Sequence, residues 1–113
     1  MNYQWGALRP QTSERQRTIV CFVARAEAHA GEEGEVQQIL QEFAENVRAD
    51  EAGCLSYSLS RPIGSRTHFA VHARFRGWRA FKSHGVTPHI EDMMPELTRL
   101  LATPIALEVF VEV

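Results

Sequence analysis

The chain has 113 residues, 44% of them hydrophobic and 23% charged, with a formal net charge of −2, enough for one buried core and unlike disordered or collagen-like compositions. This charge balance offers no field for a polyanion or an anionic bilayer, so no nucleic acid and no membrane surface is expected as a partner. No apolar run nears the roughly 20 residues of a membrane-spanning helix, no secretory pattern opens the chain, and a cytoplasmic location is expected.

Residues 1–17 mix polar residues with Gly6 and Pro10 and have no apolar period, so they read as a flexible N-terminal tail. Residues 18–113 form the domain. Its first segment, 18–26 (TIVCFVARA), is rich in β-branched and aromatic residues and reads as a strand. After a glycine-containing break, Val36, Ile39, Leu40, Phe43 and Val47 recur at helical spacing. They predict an amphipathic helix over 35–49 whose opposite face, with Gln37, Gln41 and Arg48, needs only solvent. Asp50-Glu51-Ala52-Gly53 stops that helix, with Gly53 available for a turn at positive φ.

Residues 54–60 alternate Leu55, Tyr57 and Leu59 with serines, the period of a second strand. A turn at 61–65 leads into a third strand over 68–75, with Phe69, Val71, Ala73 and Phe75 on one face and His68, Ala70, His72 and Arg74 on the other. The two strands are expected to pair as a hairpin. A short helix fits 77–84. Thr87 and Pro88 are a cap and a first helical residue, and Ile90, Met93, Met94, Leu97, Leu100 and Leu101 continue a helix that Pro95 should kink or restart. Residues 105–113 (IALEVFVEV) alternate as a fourth strand.

The order is β-α-β-β-α-β, an α+β ferredoxin-like arrangement with helices covering one face of a four-stranded antiparallel sheet. The uncovered face is expected to carry Val20, Phe22, His72, Arg74, Glu108 and Phe110. Pairing with the same face of a second copy would cover its apolar members and let Arg74 meet Glu108, so a homodimer is expected. Cys21 and Cys54 are widely spaced within strands and read as buried thiols rather than a disulfide framework.

Phe43, Phe69, Phe75, Phe81, Met93 and Met94 either line an apolar cavity for a flat aromatic ligand or fill the core. Tyr57 offers a ring to the same interior and a hydroxyl that needs a polar partner. Trp78 covers a pocket mouth or stays on the surface. His89 opens the last helix near Glu91 and Asp92, but no third ligand in a recognisable motif accompanies it, so no metal is expected. No phosphate-cradling loop, nucleophile elbow or dinucleotide fingerprint occurs, and no cofactor is expected.

Gly53-Cys54-Leu55-Ser56-Tyr57, the strand Phe69 to Phe75, and Phe75-Arg76-Gly77-Trp78-Arg79-Ala80-Phe81-Lys82-Ser83-His84 running into Pro88-His89 resemble the antibiotic biosynthesis monooxygenase family. The resemblance spans 18–113. It implies a dimeric α+β barrel with a substrate pocket in each subunit between sheet and helices. It also implies a cofactor-independent monooxygenase that takes dioxygen and a quinol-like or polyphenolic aromatic substrate.

His84 falls at the family's helical histidine. It is the candidate catalytic base, since imidazole titrates near neutral pH; the competing role is a structural histidine that bonds backbone at the helix end. Phe43, Tyr57, Phe69, Phe75, Trp78, Phe81, His89 and Met93 are the candidate substrate-binding residues. Ala73 and Phe75 stand where many relatives carry Glu and Trp. Two other functions use the same fold: an isomerase moving a proton on a small carbonyl compound, and a non-catalytic small-ligand-binding protein.

Overall fold

The computed structural model describes residues 18–113; the expected tail lies outside the described residues. The elements are β1 (Val20–Glu27), α1 (Glu33–Asp50), β2 (Cys54–Ser60), β3 (His68–Phe75), α2 (Gly77–His84), α3 (Pro88–Leu100) and β4 (Ala106–Val111). The strands form a four-stranded sheet in the order β2-β3-β1-β4, with all neighbours antiparallel. This is the ferredoxin-like pattern read from the sequence, with the second helical layer divided into α2 and α3.

The division has a local cause. Thr87 Oγ1 accepts a hydrogen bond from the Ile90 amide at 3.3 Å and Pro88 occupies the first turn of α3, so a new helix starts four residues after α2 ends. Pro95 does not end α3, which runs from Pro88 to Leu100 with the proline inside. Pro95 and Glu96 are exposed while Leu97 is fully buried. The packed face of α3 therefore continues past a residue that lacks an amide donor.

Strand pairing corrects one expectation directly. Val20 stands opposite Phe75 and Phe22 opposite Ala73, and all four are buried. Val20 and Phe22 thus face the helices and not the open side of the sheet. Apolar residues on both faces of β1 left its phase undetermined in the sequence; Cys21, Val23 and Arg25 are the residues in register with Arg74, His72 and Ala70 on the outer face. Arg74 has a partner within its own chain. Its Nε donates to Glu112 at 2.6 Å, while Arg25 and Glu108 lie 3.9 Å apart across the β1/β4 pair.

Leu55 also departs from simple alternation. Cys54 pairs with Phe75 and Ser56 with Arg74, so Leu55 is the extra residue of a bulge and is 39% exposed. Tyr57, past the bulge, returns to the core face. Gly53 has a different reason from the expected one. It is not among the positive-φ glycines; a Cβ there would lie 2.5 Å from the Ala80 Cβ, and its carbonyl accepts from the Arg76 amide at 2.8 Å. Close approach of the β2 start to α2 demands the missing side chain. Cys21 and Cys54 are free thiols and only partly buried.

The helix-covered side contains two apolar clusters. One gathers Val20, Phe22, Phe43, Tyr57, Phe75 and Phe81 with their neighbours. The other joins Val36, Leu40, Phe69, Leu97 and Leu100. Helix α1 spans both, through Phe43 and Val47 in the first and Val36 and Leu40 in the second, so the i, i+3, i+4 stripe read from the sequence ties the two halves together.

Candidate functional site

Helix α1 ends at Asp50, and the capping residue Glu51 turns to φ −102°, ψ 95° while its amide still donates to the Val47 carbonyl. That exit brings the Glu51 carboxylate to the end of α2, where His84 is the last helical residue. His84 Nδ1 lies 3.0 and 3.1 Å from the two Glu51 oxygens. The side chains are 5% and 13% exposed, so the pair sits within the protein and not on its surface. An ionised carboxylate only accepts, so Nδ1 carries the proton of a neutral His84 and Nε2 is left as the acceptor.

Four aromatic rings surround this imidazole. Centroid distances are 5.2 Å to Phe75, 5.5 Å to Tyr57, 5.6 Å to Phe43 and 5.7 Å to Phe22. Their burial of the ring lowers the His84 pKa below 6.5, with Glu51 opposing the shift through its charge and hydrogen bond. The imidazole is thus held neutral at pH 7, while the carboxylate lowers the cost of its becoming charged. No backbone group among the described residues bonds its ring; Gly85 ends α2 through its own amide to the Lys82 carbonyl at 3.1 Å.

His84 lines a cavity of about 100 Å³ at the junction of the two clusters. Phe22, Phe43, Tyr57 and Phe81 form aromatic walls, and Leu40, Leu97, Met93 and Met94 close the other side. Exposed Lys82 and Gly85 also line it, which gives it an opening beside the end of α2. All buried side-chain nitrogens and oxygens among the described residues have partners, and both bonds of the His84 ring are made by Nδ1. Nε2 is therefore reached from open space. The arrangement offers one neutral imidazole nitrogen as a proton acceptor in an apolar chamber.

Of the residues expected at the site, Phe43, Tyr57, Phe81, His84 and Met93 line the cavity. Phe75 does not; it is fully buried and supports the His84 ring from outside the lining. Phe69 belongs to the second cluster. Trp78 neither covers a mouth nor lies on the surface, since it is 6% exposed and packs on Phe81 at 5.2 Å.

His89 lines a separate groove between α1 and α3, where its Nε2 lies 2.8 Å from Asp50. Phe43 and Met93 form the wall between groove and cavity, since both line each. Among the described residues no three His, Cys, Asp or Glu side chains gather as a metal site. The sequence reading missed Glu51, treated there only as part of a helix stop, and Phe22, assigned to the wrong face. A carboxylate at a helix end, far along the chain from a histidine, carries no local signal; strand register alone could have placed Phe22.

Residues 19–96 match the family described as antibiotic biosynthesis monooxygenase. No curated protein gives a significant match. Among solved structures, a candidate antibiotic biosynthesis monooxygenase of Caulobacter crescentus is similar at 22% identity and a TM-score of 0.82, over 91% of this chain and 99% of that one. A protein of Mycobacterium tuberculosis shares 23% identity at a TM-score of 0.78, over 84% of this chain and 95% of its own. A candidate antibiotic biosynthesis monooxygenase of Deinococcus radiodurans shares 23% identity at 0.75, over 80% and 89%. Identities this low carry the fold alone, and the family match over residues 19–96 carries the membership: the chain belongs to the antibiotic biosynthesis monooxygenase family.

Proposed function

We propose that the protein is a cofactor-independent monooxygenase of a quinol-like or polyphenolic aromatic, with His84 as its base and Glu51 as the group that orients and supports that base. The observation that carries this reading is the Glu51–His84 pair, 3.0 Å apart, set against an apolar cavity walled by aromatic rings. A flat ring fits such walls, and a phenolic hydroxyl is the proton donor that a neutral imidazole suits.

For a hydroquinone the steps balance as follows. His84 Nε2 takes a phenolic proton, and the imidazolium is stabilised by Glu51. The phenolate gives one electron to dioxygen, and the resulting superoxide and semiquinone combine at a ring carbon. The imidazolium returns its proton to the peroxide, which loses water to leave a hydroxyquinone. Hydroquinone plus dioxygen thus become hydroxyquinone plus water: the substrate supplies four electrons and one oxygen atom is retained. The apolar walls keep bulk water from the radical pair.

The test is oxygen uptake by metal-stripped protein with a panel of hydroquinones and polyphenols, beside His84→Ala. Uptake proportional to protein that falls about tenfold or more in the variant, at least ~1.4 kcal/mol of barrier, is expected. Uptake no faster than the substrates' own autoxidation would exclude the reading for those substrates. Turnover of a carbonyl compound without oxygen would instead make the same pair the base of an isomerase, and saturable binding without turnover would make the chain a ligand carrier.

A further inference from the structure

Tyr57 is 6% exposed and lines the cavity. Its backbone is accounted for: the Tyr57 carbonyl accepts from Arg48 Nη1 at 2.6 Å, and the strand pairs with β3 opposite Ala73. Its ring is fixed by edge-to-face contacts with Phe22 at 6.1 Å and Phe43 at 5.9 Å, and by the His84 imidazole at 5.5 Å. The hydroxyl, by contrast, takes part in none of the hydrogen bonds that satisfy the surrounding polar groups. A tyrosine this deeply placed ordinarily finds a partner for its hydroxyl. Because no buried side-chain oxygen among the described residues is left without one, the Tyr57 oxygen remains reachable.

We propose that the Tyr57 hydroxyl donates a hydrogen bond to a second oxygen of the ligand, so that the site selects aromatic rings carrying two oxygen functions. One is an ionisable hydroxyl that gives its proton to His84 Nε2; the other is a phenolic, ether or carbonyl oxygen that accepts from Tyr57. The proposal rests on the assignment of His84 as the base. Burial and the nearby Glu51 charge push the Tyr57 pKa far up, so the phenol stays protonated and acts only as a donor at working pH.

Its value to the reaction follows from conjugation. When a ring hydroxyl is deprotonated, negative charge spreads through the ring; a phenolic or ether oxygen takes none of it, so there the donor only fixes the ring's orientation, whereas a conjugated carbonyl oxygen takes a share. A fixed donor at that oxygen meets charge as it develops, inside a chamber of low polarity. A ring with a single oxygen would satisfy His84 and leave Tyr57 unpaired.

Anaerobic calorimetric titration tests this without requiring turnover. The probes are phenol, 4-methylphenol, 4-methoxyphenol, hydroquinone and catechol, against the wild-type protein and Tyr57→Phe. In the wild type, hydroquinone or catechol is expected to bind about tenfold tighter than phenol, a step of ~1.4 kcal/mol. 4-Methoxyphenol should keep the advantage, because its ether oxygen still accepts, and 4-methylphenol should lose it despite its similar size. Tyr57→Phe should abolish the difference and leave phenol affinity within about twofold, since the ring is retained.

Equal binding of hydroquinone, catechol, 4-methoxyphenol and 4-methylphenol by the wild type would overturn the proposal even if the variant failed to fold. So would a variant that weakens every probe alike, or the absence of saturable binding by all five. The monooxygenase reading stands or falls separately, on oxygen uptake: tight two-oxygen binding without uptake would sink that reading and leave the Tyr57 assignment in place.

Discussion

At the scale of single residues, the proposed chemistry rests on one imidazole and the carboxylate behind it. Glu51→Gln keeps the size and hydrogen-bonding reach of the side chain and removes its charge. Because Glu51 raises the His84 pKa against the lowering by burial, the variant should move the acid limb of a kcat/KM profile to lower pH. The loss of support for the imidazolium should also cut kcat by about tenfold or more. An unmoved acid limb would mean that Glu51 does not act on His84.

The same shift predicts a stability change. A histidine whose pKa is lowered on folding binds fewer protons folded than unfolded, so stability rises with pH between the folded value and 6.5 and is lost as pH falls through that window. Urea unfolding at pH 7.5 and 5.5 should therefore show a larger acid loss in the wild type than in His84→Gln. Glu112, whose pKa is lowered by Arg74, loses its contribution below its ordinary 4.5 and stays outside this range.

At the scale of elements, close packing of β2 against α2 aligns the two ends that carry the pair. Gly53 follows Glu51 by two residues and lies against Ala80, four residues before His84. Gly53→Ala would place its Cβ 2.5 Å from the Ala80 Cβ, and α2 would have to move away. We expect a loss of about 1–3 kcal/mol in urea unfolding, with a fall in activity larger than any Ala substitution on exposed Arg79 produces. Unchanged stability would show that α2 yields freely.

Most elements were legible as periods: the stripe of α1, the alternation of β3, and the Thr-Pro start of α3. β1 was legible as a strand but not in phase. Its residues 19–24 are apolar without alternation, so pairing had to decide which of Phe22 and Val23 meets the helices. The Leu55 bulge was invisible for a related reason, since alternation counts residues and a bulge adds one without changing the composition.

At the scale of the whole molecule, one sheet face is covered by helices and the other is left open by the described elements. The open face presents Phe110, 44% exposed, in register with Cys21, beside the Arg25–Glu108 pair, each 63% exposed. Apolar and charged groups so mixed suit a two-fold contact between copies, and we propose that this face forms the homodimer. Phe110→Glu should shift the protein from dimer to monomer in light scattering after size exclusion, with secondary structure retained by circular dichroism. A wild type that is monomeric at all concentrations would rule the dimer out. Among the described residues no helix is long and apolar enough to cross a membrane.

The sequence by itself determined the element order, the ferredoxin-like class, the family, and most of the aromatic residues that enclose the candidate site. Those properties are written in local periods and short motifs, where each residue's neighbours lie within a few positions. The tertiary structure alone decided which of those aromatics line the cavity, that Phe22 is among them, and that His84 is backed by Glu51. Thirty-three positions separate Glu51 from His84, and no helical or strand period spans that distance. Their contact exists because β2 and β3 pair and α2 then packs on Gly53, bringing the ends of two helices together.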